Sequence, residues 1–385
     1  MHEIPIDPKA AFIEISTGKR WVPLSFAMDE TGILLISDSP HSAWASRVLR
    51  ERRARIRSGR NSLLLGAELI TSANEKMESS RLFMEKYGEE EFRRWFETPG
   101  KFLRLSGEAA APPRNGDYRT WLREEFDSIA EDYDRHILGN TVNRLLRSRS
   151  VELMSAEFPE DSRLLEIGCG TGTETVSLLE RGYRILATDI SPVMLERLRS
   201  KVSGRFPPDQ LELRETKASD AGKILQEYGP SSFDGIYSTY GAFNCEPDLS
   251  AVVPILHSLL KRKGKLILGI YNPFCISDAV GNLMKHNPAG IFSRFRRPVP
   301  LESSRFCIDV WAYSPMYISR AFSGKFRTLR TLGVPVIIPP SDYTRVVDRF
   351  LRHFDLIERI DSFMGRHWPF NFLGDHFLIV MERAA

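Results

Sequence analysis

The stretch Asp161–Pro192, DSRLLEIGCGTGTETVSLLERGYRILATDISP, decides the fold of this 385-residue chain. Its apolar run Leu164–Ile167 is typical of a buried parallel strand. Glycines follow at every second position from 168 to 172, and a helical pattern and a second apolar strand, Arg184–Thr188, lead to Asp189. This order makes up half of a nucleotide-binding unit, in which glycines allow a tight turn against a ligand. We expect Asp189 to accept hydrogen bonds from both ribose hydroxyls.

The spacing of the glycines indicates which nucleotide binds. A dinucleotide site has the pattern G-x-G-x-x-G and directs a helix N-terminus at a pyrophosphate. This chain has E-x-G-x-G-x-G, with Glu166 on the strand. That pattern resembles motif I of the class I S-adenosylmethionine-dependent methyltransferases, whose cofactor has a sulfonium and an amino acid but no phosphate. Glu166 fits an ammonium-bearing ligand and would repel a pyrophosphate. The alternatives are a nicotinamide site and a glycine turn without a ligand, and Asp189 argues against the second.

Composition sets broad limits on the protein. The length leaves room for two domains, and a net charge of +3 argues neither for nor against nucleic acid. Four cysteines without C-x-x-C spacing indicate a reducing compartment and no zinc site, and no other metal is required by a visible cluster. Because we find neither a membrane-length apolar run nor a signal peptide, we predict a soluble cytoplasmic protein.

Residues 1–108 are predicted to form a β-rich domain, and 109–117 a linker rich in small residues, Pro and Gly. The predicted strands are Ala11–Ile15, Val22–Met28, Gly32–Ser37, Asn61–Leu69 and Lys101–Leu105. The predicted helices are Ala43–Arg57, Ser72–Tyr87 and a turn at Glu89–Glu97.

Residues 22–50 have the sequence VPLSFAMDETGILLISDSPHSAWASRVLR. This sequence resembles that of the split β-barrel flavin and deazaflavin-binding oxidoreductases. The resemblance covers about residues 19–105 and implies FMN or a deazaflavin as a second cofactor. Two departures put that cofactor in doubt: Arg47 stands where the family often has Asn, and the Gly/Arg-rich motif is shortened to residues 16–20.

Seven arginines between 47 and 60 leave three interpretations open. They could bind a flavin phosphate through bidentate contacts, hold an acidic partner or nucleic acid, or form a solvated helix face. The residues are Arg47, Arg50, Arg52, Arg53, Arg55, Arg57 and Arg60.

The catalytic domain is predicted at 118–385, beginning with a helical region at Tyr118–Met154. Its segment Phe126–Asp134 resembles the FDxxAxxYD segment of many small-molecule methyltransferases, which closes over the cofactor. The resemblance places Tyr133 near the methionine portion of the cofactor. The alternative is a core aromatic residue on an amphipathic helix.

Ligands of open α/β sheets bind at the carboxyl ends of the strands. The loop after the third strand, Leu211–Arg214, is therefore expected beside the adenine, and the loop after the fourth, Gly235–Ser238, at the transferred methyl group. The candidate catalytic or substrate-positioning residues are Tyr240, Asn244 and Glu246, with Glu246 as a base. The cofactor candidates are Tyr133, Glu166, Gly168, Cys169, Gly170, Gly172, Asp189, Ile190, Ala218, Ser219, Asp220 and Ser238.

The fourth strand lacks the [DN]-P-P-[YF] motif of nucleic-acid amino-methyltransferases, which argues against a nucleic-acid substrate. The fifth strand is predicted at Lys265–Ile270, and a closing antiparallel pair at Leu356–Ser362 and His376–Glu382, after a helix at Ser341–His353. The insertion at 271–340 is rich in aromatic residues, and Arg294, Arg296 and Arg297 add a basic edge. We interpret it as a substrate cap for an apolar or aromatic acceptor with an anionic group; the alternative is packing on the sheet or a dimer interface.

The predicted fold is therefore α/β: a Rossmann-like seven-stranded class I methyltransferase sheet with a smaller N-terminal split β-barrel-like domain. The predicted function is S-adenosylmethionine-dependent methylation of a small molecule. One alternative makes the barrel an active flavin or deazaflavin reductase in a bifunctional protein. Another makes the chain a non-catalytic cofactor-binding scaffold with a basic partner-binding helix.

Overall fold

A computed structural model describes residues 6–16, 21–38, 42–58, 61–96, 99–108, 115–131, 133–284, 286, 288–295, 297–302, 307–341 and 354–384. The chain divides into two compact units. The first comprises Met1–Ile129 with Leu301–Ile308, and the second Ala130–Pro300 with Asp309–Ala385. Most of the predicted linker and the predicted helix Ser341–His353 lie outside the described residues.

The first unit is built on an antiparallel seven-stranded sheet. Its strands are β1 (Ile13–Ser16), β2 (Trp21–Leu24), β3 (Ala27–Asp29), β4 (Gly32–Ile36), β5 (Arg53–Ser58), β6 (Asn61–Leu69) and β7 (Phe102–Glu108). Its helices are α1 (Ala43–Glu51), α2 (Ala73–Tyr87), α3 (Glu89–Trp95) and α4 (Asn115–Ile129). The strand order is β2-β1-β5-β6-β7-β4-β3. A β-rich first unit is thus observed, whereas its closure into a split β-barrel stays a prediction.

The predicted helix Ala43–Arg57 is wrong in its second half. Helix α1 ends at Glu51, Arg52 takes a left-handed conformation with φ 50°, and the chain continues as strand β5. Ala54 and Ile56 are buried there between exposed or half-buried arginines. This alternation has the period of a strand rather than that of a helix. The arginines therefore do not share one helix face.

The second unit is built on another seven-stranded sheet. Its strands are β8 (Arg163–Ile167), β9 (Arg184–Asp189), β10 (Leu211–Glu215), β11 (Phe233–Ser238), β12 (Leu260–Tyr271), β15 (Phe326–Val334) and β16 (His376–Arg383). Two short strands, β13 (Val299–Glu302) and β14 (Cys307–Val310), lie where the chain passes between the units. The helices are α5 (Tyr133–Gly139), α6 (Thr141–Glu157), α7 (Thr173–Leu179), α8 (Pro192–Val202), α9 (Gly222–Tyr228), α10 (Val252–Leu259), α11 (Ile276–Met284), α12 (Pro288–Ile291), α13 (Pro315–Phe322) and α14 (Phe354–Gly365).

The strand order of this sheet is β10-β9-β8-β11-β12-β16-β15. β8 to β12 run parallel, and β16 is antiparallel to both of its neighbours. The chain moves outward from β8 to β10 and then returns to β11, so the direction of winding reverses between β8 and β11. Such a switch point opens a crevice for a ligand at the carboxyl ends of the strands. The predicted Rossmann-like sheet of seven strands is confirmed.

The predicted closing pair is only half right. β16 agrees with the prediction, but its outer neighbour is β15, and Leu356–Ser362 lies within helix α14. The pairing of β15 with β16 is irregular between Thr328 and Arg330, which breaks the period of two that identifies a strand in sequence. The segment 356–362 has apolar residues at 356, 357 and 360, a helical spacing.

The predicted cap at 271–340 is also shorter than expected. Tyr313, Ile318 and Phe322 are buried in the core beneath the sheet, so helix α13 is a structural layer and β15 the strand that follows it. The part of the insertion that remains outside the sheet and its helices begins at Asn272 and ends before Tyr313. Within the described stretches, no helix has the length and apolarity needed to cross a membrane.

A buried carboxylate anchors the turn after β15. Asp361 on α14 is fully buried, and its Oδ1 accepts hydrogen bonds from the backbone nitrogens of Val336, Ile337 and Ile338 at 2.8, 2.7 and 3.0 Å. Its Oδ2 accepts a 2.7 Å hydrogen bond from Nη1 of Arg149 on α6. One side chain therefore joins a helix, a turn and a second helix.

Replacing Asp361 with Ala should lower the free energy of unfolding by about 3–5 kcal/mol, because Arg149 and three backbone N–H groups lose their acceptor inside the protein. Urea denaturation measures the loss. Arg359→Ala, on an exposed position of the same helix, should stay within about 0.5 kcal/mol of wild type. An equal loss of unfolding free energy in the two variants would show that Asp361 does not anchor the turn.

Candidate active site

The glycine turn connects β8 to α7 at the switch point. Gly168, Gly170 and Gly172 have φ values of 76°, 54° and 78°, all in the left-handed region that favours glycine. The backbone nitrogens of Gly168 and Cys169 both donate to the carbonyl oxygen of Thr188, at 2.8 and 2.9 Å. The turn is therefore held directly to the end of strand β9.

Two of these glycines differ in their surroundings. A Cβ on Gly172 would lie 2.2 Å from Cδ1 of the buried Leu198, so α8 packs directly on this position. A Cβ on Gly170 would lie 3.8 Å from Cε1 of Tyr133, an ordinary contact. The structure thus brings Tyr133, a cofactor candidate, from helix α5 to the glycine turn.

Asp189 ends β9 and is 8% exposed. Its Oδ2 accepts a 2.8 Å hydrogen bond from the backbone nitrogen of Gly170, and its Oδ1 accepts one of 2.9 Å from Ser191. Asp189 therefore shapes the turn, and a carboxylate at the end of this strand fits the ribose of the cofactor that the motif implies. Ile190 directly follows it.

A buried ion pair next to the turn was not predicted from sequence. Nη1 of Arg147 on α6 lies 2.5 Å from Oε1 of Glu174, and the hydroxyl of Thr239 donates to the same oxygen at 3.0 Å. Burial raises the pKa of Tyr133, although the charge of Arg147 opposes the shift, so this phenol keeps its proton at neutral pH. Arg147 is one of three arginines on α6, and nothing in its sequence position distinguishes it from Arg144 and Arg149.

Glu166 is buried behind the turn. Its Oε2 accepts hydrogen bonds from the hydroxyls of Thr175 at 2.5 Å and Tyr237 at 2.8 Å. Burial raises the pKa of this carboxyl to about 8. At neutral pH it is therefore mostly protonated, whereas the expected contact with an ammonium group assumes a carboxylate. A role for Glu166 at the cofactor stays a prediction. It requires that Glu166 lose its proton or that its neutral carboxyl group contact the cofactor.

The loop expected beside the adenine is braced by Glu246. Ala218–Asp220 form one turn of 3₁₀ helix, in which Ala218 is buried in the core. Oε1 of Glu246 accepts a 3.0 Å hydrogen bond from the backbone nitrogen of Ser219, and Oε2 lies 3.1 Å from Nζ of Lys217. Burial raises the pKa of Glu246 despite Lys217. Its carboxylate is engaged by this loop, so a role as base stays a prediction.

The loop after β11 carries the other two catalytic candidates. The hydroxyl of Tyr240 donates to the carbonyl of Leu146 at 2.6 Å. The amide of Asn244 donates to the carbonyl of Trp311 at 2.7 Å, and its Oδ1 accepts from the backbone nitrogen of Tyr271 at 2.9 Å. Both polar groups are thus engaged by the protein, and Ser238 is buried at the end of β11. Their action on a substrate stays a prediction.

A histidine at the same edge of the sheet is absent from the residues predicted from sequence. His376 begins β16, and because that strand is antiparallel, its first residue pairs with Tyr271 at the end of β12. Its ring centroid lies 5.3 Å from that of Tyr240 and 5.4 Å from that of Tyr271. The sequence feature that could have indicated His376 is the acidic residue directly before it, Asp375, at the start of the closing strand.

The packing of the glycine turn can be tested with a matched pair. Gly204→Ala should cost about 1–2 kcal/mol, because φ is 69° there but nothing lies within 4 Å. Gly172→Ala should cost about 1–3 kcal/mol more, since the added methyl group must displace the buried Leu198. Urea unfolding compares the two, and equal costs would show that α8 does not pack on the turn.

The pKa of Glu166 predicts a pH dependence. It lies at about 8 in the folded protein, above the ordinary value of 4.5, so the stability it contributes is complete below about pH 4.5 and is lost as the pH rises through about 8. Wild type should lose about 1.4 kcal/mol per pH unit in this window relative to Glu166→Gln. The exposed control Glu160→Gln should follow wild type, and parallel profiles for wild type and Glu166→Gln would contradict the shift.

Residues 164–264 match the family described as "Methyltransferase domain". The tRNA 5-carboxymethoxyuridine methyltransferase of Escherichia coli (strain K12) is 27% identical over 184 residues, which cover 47% of this chain and 66% of that protein. The trans-aconitate 2-methyltransferase of Enterobacter sp. (strain 638) is 31% identical over 176 residues, covering 42% and 64%. The chain thus spans slightly less than two thirds of each relative.

The structure of 1,6-didemethyltoxoflavin-N1-methyltransferase from Burkholderia thailandensis superposes with a TM-score of 0.44 at 14% identity, covering 73% of this chain and 94% of that one. The fold assignment rests on the strand order above rather than on this likeness. Residues 164–264 of this chain thus match a methyltransferase domain, and they lie in the sheet whose strand order is given above.

Proposed function

We propose that this protein transfers a methyl group from S-adenosylmethionine to a small apolar or aromatic acceptor. The observation that carries the proposal is the glycine turn at the switch point, bonded to a carboxylate, Asp189, that ends the neighbouring strand. When bound, the cofactor supplies an electrophilic methyl group on a sulfonium. The protein has to hold the cofactor, orient the acceptor and exclude water, because transfer requires donor and acceptor in line.

The chain offers a residue for each portion of the cofactor. For the ribose we propose Asp189, which lies at the end of β9 and is bonded to the glycine turn, and for the methionine portion Tyr133, which lies against the turn on the side of Gly170. For the adenine we propose Ser219 and Asp220, on the turn braced by Glu246. These assignments extend the motif residue by residue, and each can be tested by substitution.

Exposed aromatic side chains in the insertion support the proposal of an apolar or aromatic methyl acceptor. Phe274, Phe292 and Phe295 are 40%, 64% and 47% exposed, and Phe295 contacts the rings of both others. Arg294, expected to meet an anionic group of the acceptor, is instead buried and paired with two carboxylates. We therefore propose an apolar or aromatic acceptor for which Arg294 provides no anion site.

A direct assay can separate a small acceptor from a nucleic acid. The curated relatives are named for different acceptors, one of them a tRNA nucleoside and another trans-aconitate. Transfer of a tritiated methyl group should occur to small phenols and aromatic amines but not to total tRNA. Label in the tRNA alone would overturn the acceptor class and leave the methyltransferase assignment intact.

The two alternatives find little support in the first unit. Arg57 forms two hydrogen bonds with Glu14, at 2.5 and 2.9 Å, and its guanidinium lies 4.4 Å from the ring centroid of Trp21. This arginine is engaged within the protein, and Arg53 and Arg55 lie with it on strand β5 rather than on a partner-binding helix. An absorbance spectrum after addition of FMN or a deazaflavin tests the flavin hypothesis.

Calorimetric titration of S-adenosylhomocysteine tests the cofactor site. Wild type should bind it, and Asp189→Ala should weaken binding about 10- to 100-fold, the effect of losing a charged hydrogen bond of about 1.5–3 kcal/mol. Asp209→Ala, an exposed acid before β10, should bind like wild type. Absence of binding to folded wild-type protein would reject the proposal.

A further inference from the structure

The carboxylate of Asp375 fixes the orientation of the His376 ring. Nδ1 of His376 lies 2.9 Å from Oδ2 of Asp375, which is buried. Burial alone would raise the pKa of Asp375, but Arg294 and His376 outweigh it and hold that pKa well below its usual range. An ionised carboxylate can only accept, so the proton of the neutral imidazole is on Nδ1 and Nε2 carries the lone pair.

Arg294 holds Asp375 from the other side. Its Nη2 lies 2.8 Å from Oδ1 of Asp375, and its Nε lies 3.0 Å from Oδ2 of Asp278 on α11. Its guanidinium also lies 4.5 Å from the ring centroid of Tyr271, and the residue is 6% exposed. The carboxylate of Asp375 therefore has one oxygen fixed by Arg294 and the other available to orient His376.

The histidine occupies a position suited to an acceptor. Its side chain is 18% exposed and lies edge-on to Tyr240 and Tyr271, at the carboxyl ends of β11 and β12. Among the residues that the structure describes, Nε2 has no hydrogen-bond partner. An incoming polar hydrogen can therefore bond to this atom.

Contacts connect this histidine to the cofactor turn. The guanidinium of Arg147 lies 5.0 Å from the ring centroid of Tyr240, and the ring of Tyr240 also contacts that of His376. Arg147 pairs with Glu174 on α7, the helix that begins directly after the glycine turn. The histidine and the proposed cofactor site are thus two ends of one packed group of side chains.

We propose that His376 is the general base that takes the proton of the methyl acceptor, and that Asp375 is a positioning residue for it. This inference rests on the proposed function. The acceptor atom forms a bond to the methyl carbon, while the electron pair of the broken carbon–sulfur bond stays on the cofactor. The proton of the acceptor moves to Nε2 and then to water. The acceptor is therefore an O–H or N–H group that must lose a proton on methylation.

The groups around His376 have fixed charge states near neutral pH. Asp375 is ionised, Arg294 is charged, and burial raises the pKa of both Tyr240 and Tyr271, which keeps these phenols protonated. Asp278 faces Arg294 rather than the imidazole. Because a general base accepts a proton only in its unprotonated form, turnover should rise with pH and then level off.

Nuclear magnetic resonance tests the orientation without an acceptor. In the full chain with ¹⁵N-labelled histidine, the signal absent from His376→Gln should show a proton on Nδ1. Asp375→Asn should abolish this tautomer preference. Asp278→Asn, which removes the other partner of Arg294 but leaves the His376 contact, should retain it. A proton on Nε2 in wild type, or no change in Asp375→Asn, overturns the proposal.

Binding and turnover separate this proposal from the proposed function. His376→Gln should bind S-adenosylhomocysteine like wild type but methylate the phenols of the assay above about 10²- to 10⁴-fold more slowly, the usual effect of a general base. The loss should appear in kcat, with the rise with pH removed. His257→Gln, whose ring lies 3.3 Å from the carbonyl of Ala384, is the control with unchanged turnover.

Failure of wild type to bind S-adenosylhomocysteine would reject the proposed function, whereas binding with full turnover in His376→Gln would reject only the role of His376.

Discussion

The hydrogen bonds of Asp189 are the contacts on which the second unit depends. One carboxylate oxygen holds the backbone of the glycine turn, and the other holds the nitrogen of Ser191, whose hydroxyl caps helix α8. The same side chain thus defines the end of β9, the path of the turn before α7 and the start of α8. The residue that we propose for the ribose is therefore also one that orders the backbone around it.

The fold could be predicted where a sequence pattern covers residues that are close in the chain and also contact one another in the structure. β8, the glycine turn and β9 follow one another within a short stretch of chain, and each has its own period or spacing. The strand at 53–58 is mistaken for a helix because arginine-rich sequence suits both states, and only the burial of Ala54 and Ile56 decides. The edge strand β15 is not predicted because its irregular pairing interrupts the alternation.

The candidate site also has a part that local sequence patterns indicate and a part that they do not. The residues proposed for the cofactor, Gly168 to Gly172 and Asp189, come from consecutive elements, so the glycine spacing and its terminal acid suggest them from sequence. The residues proposed around the acceptor are Tyr240 after β11 and Asp375 with His376 at the start of β16, with Arg294 of the insertion behind them, and they lie far apart along the chain. No local spacing can indicate such a group. The pairing of a buried arginine with two carboxylates also removes an anion site that the sequence pattern suggests.

The position of β16 has a consequence for how the protein folds during its synthesis. This strand follows all the others in sequence, yet it lies inside the sheet, between β12 and β15. During synthesis the strands β8 to β12 and the glycine turn can associate early, because their contacts are close in sequence, whereas β15 must wait for a partner made later. A ribosome-bound chain therefore passes through a stage in which the glycine turn can form and the Asp375–His376 pair cannot. The proposed cofactor site and the proposed base are thus separated in the order of folding as they are in the order of the sequence.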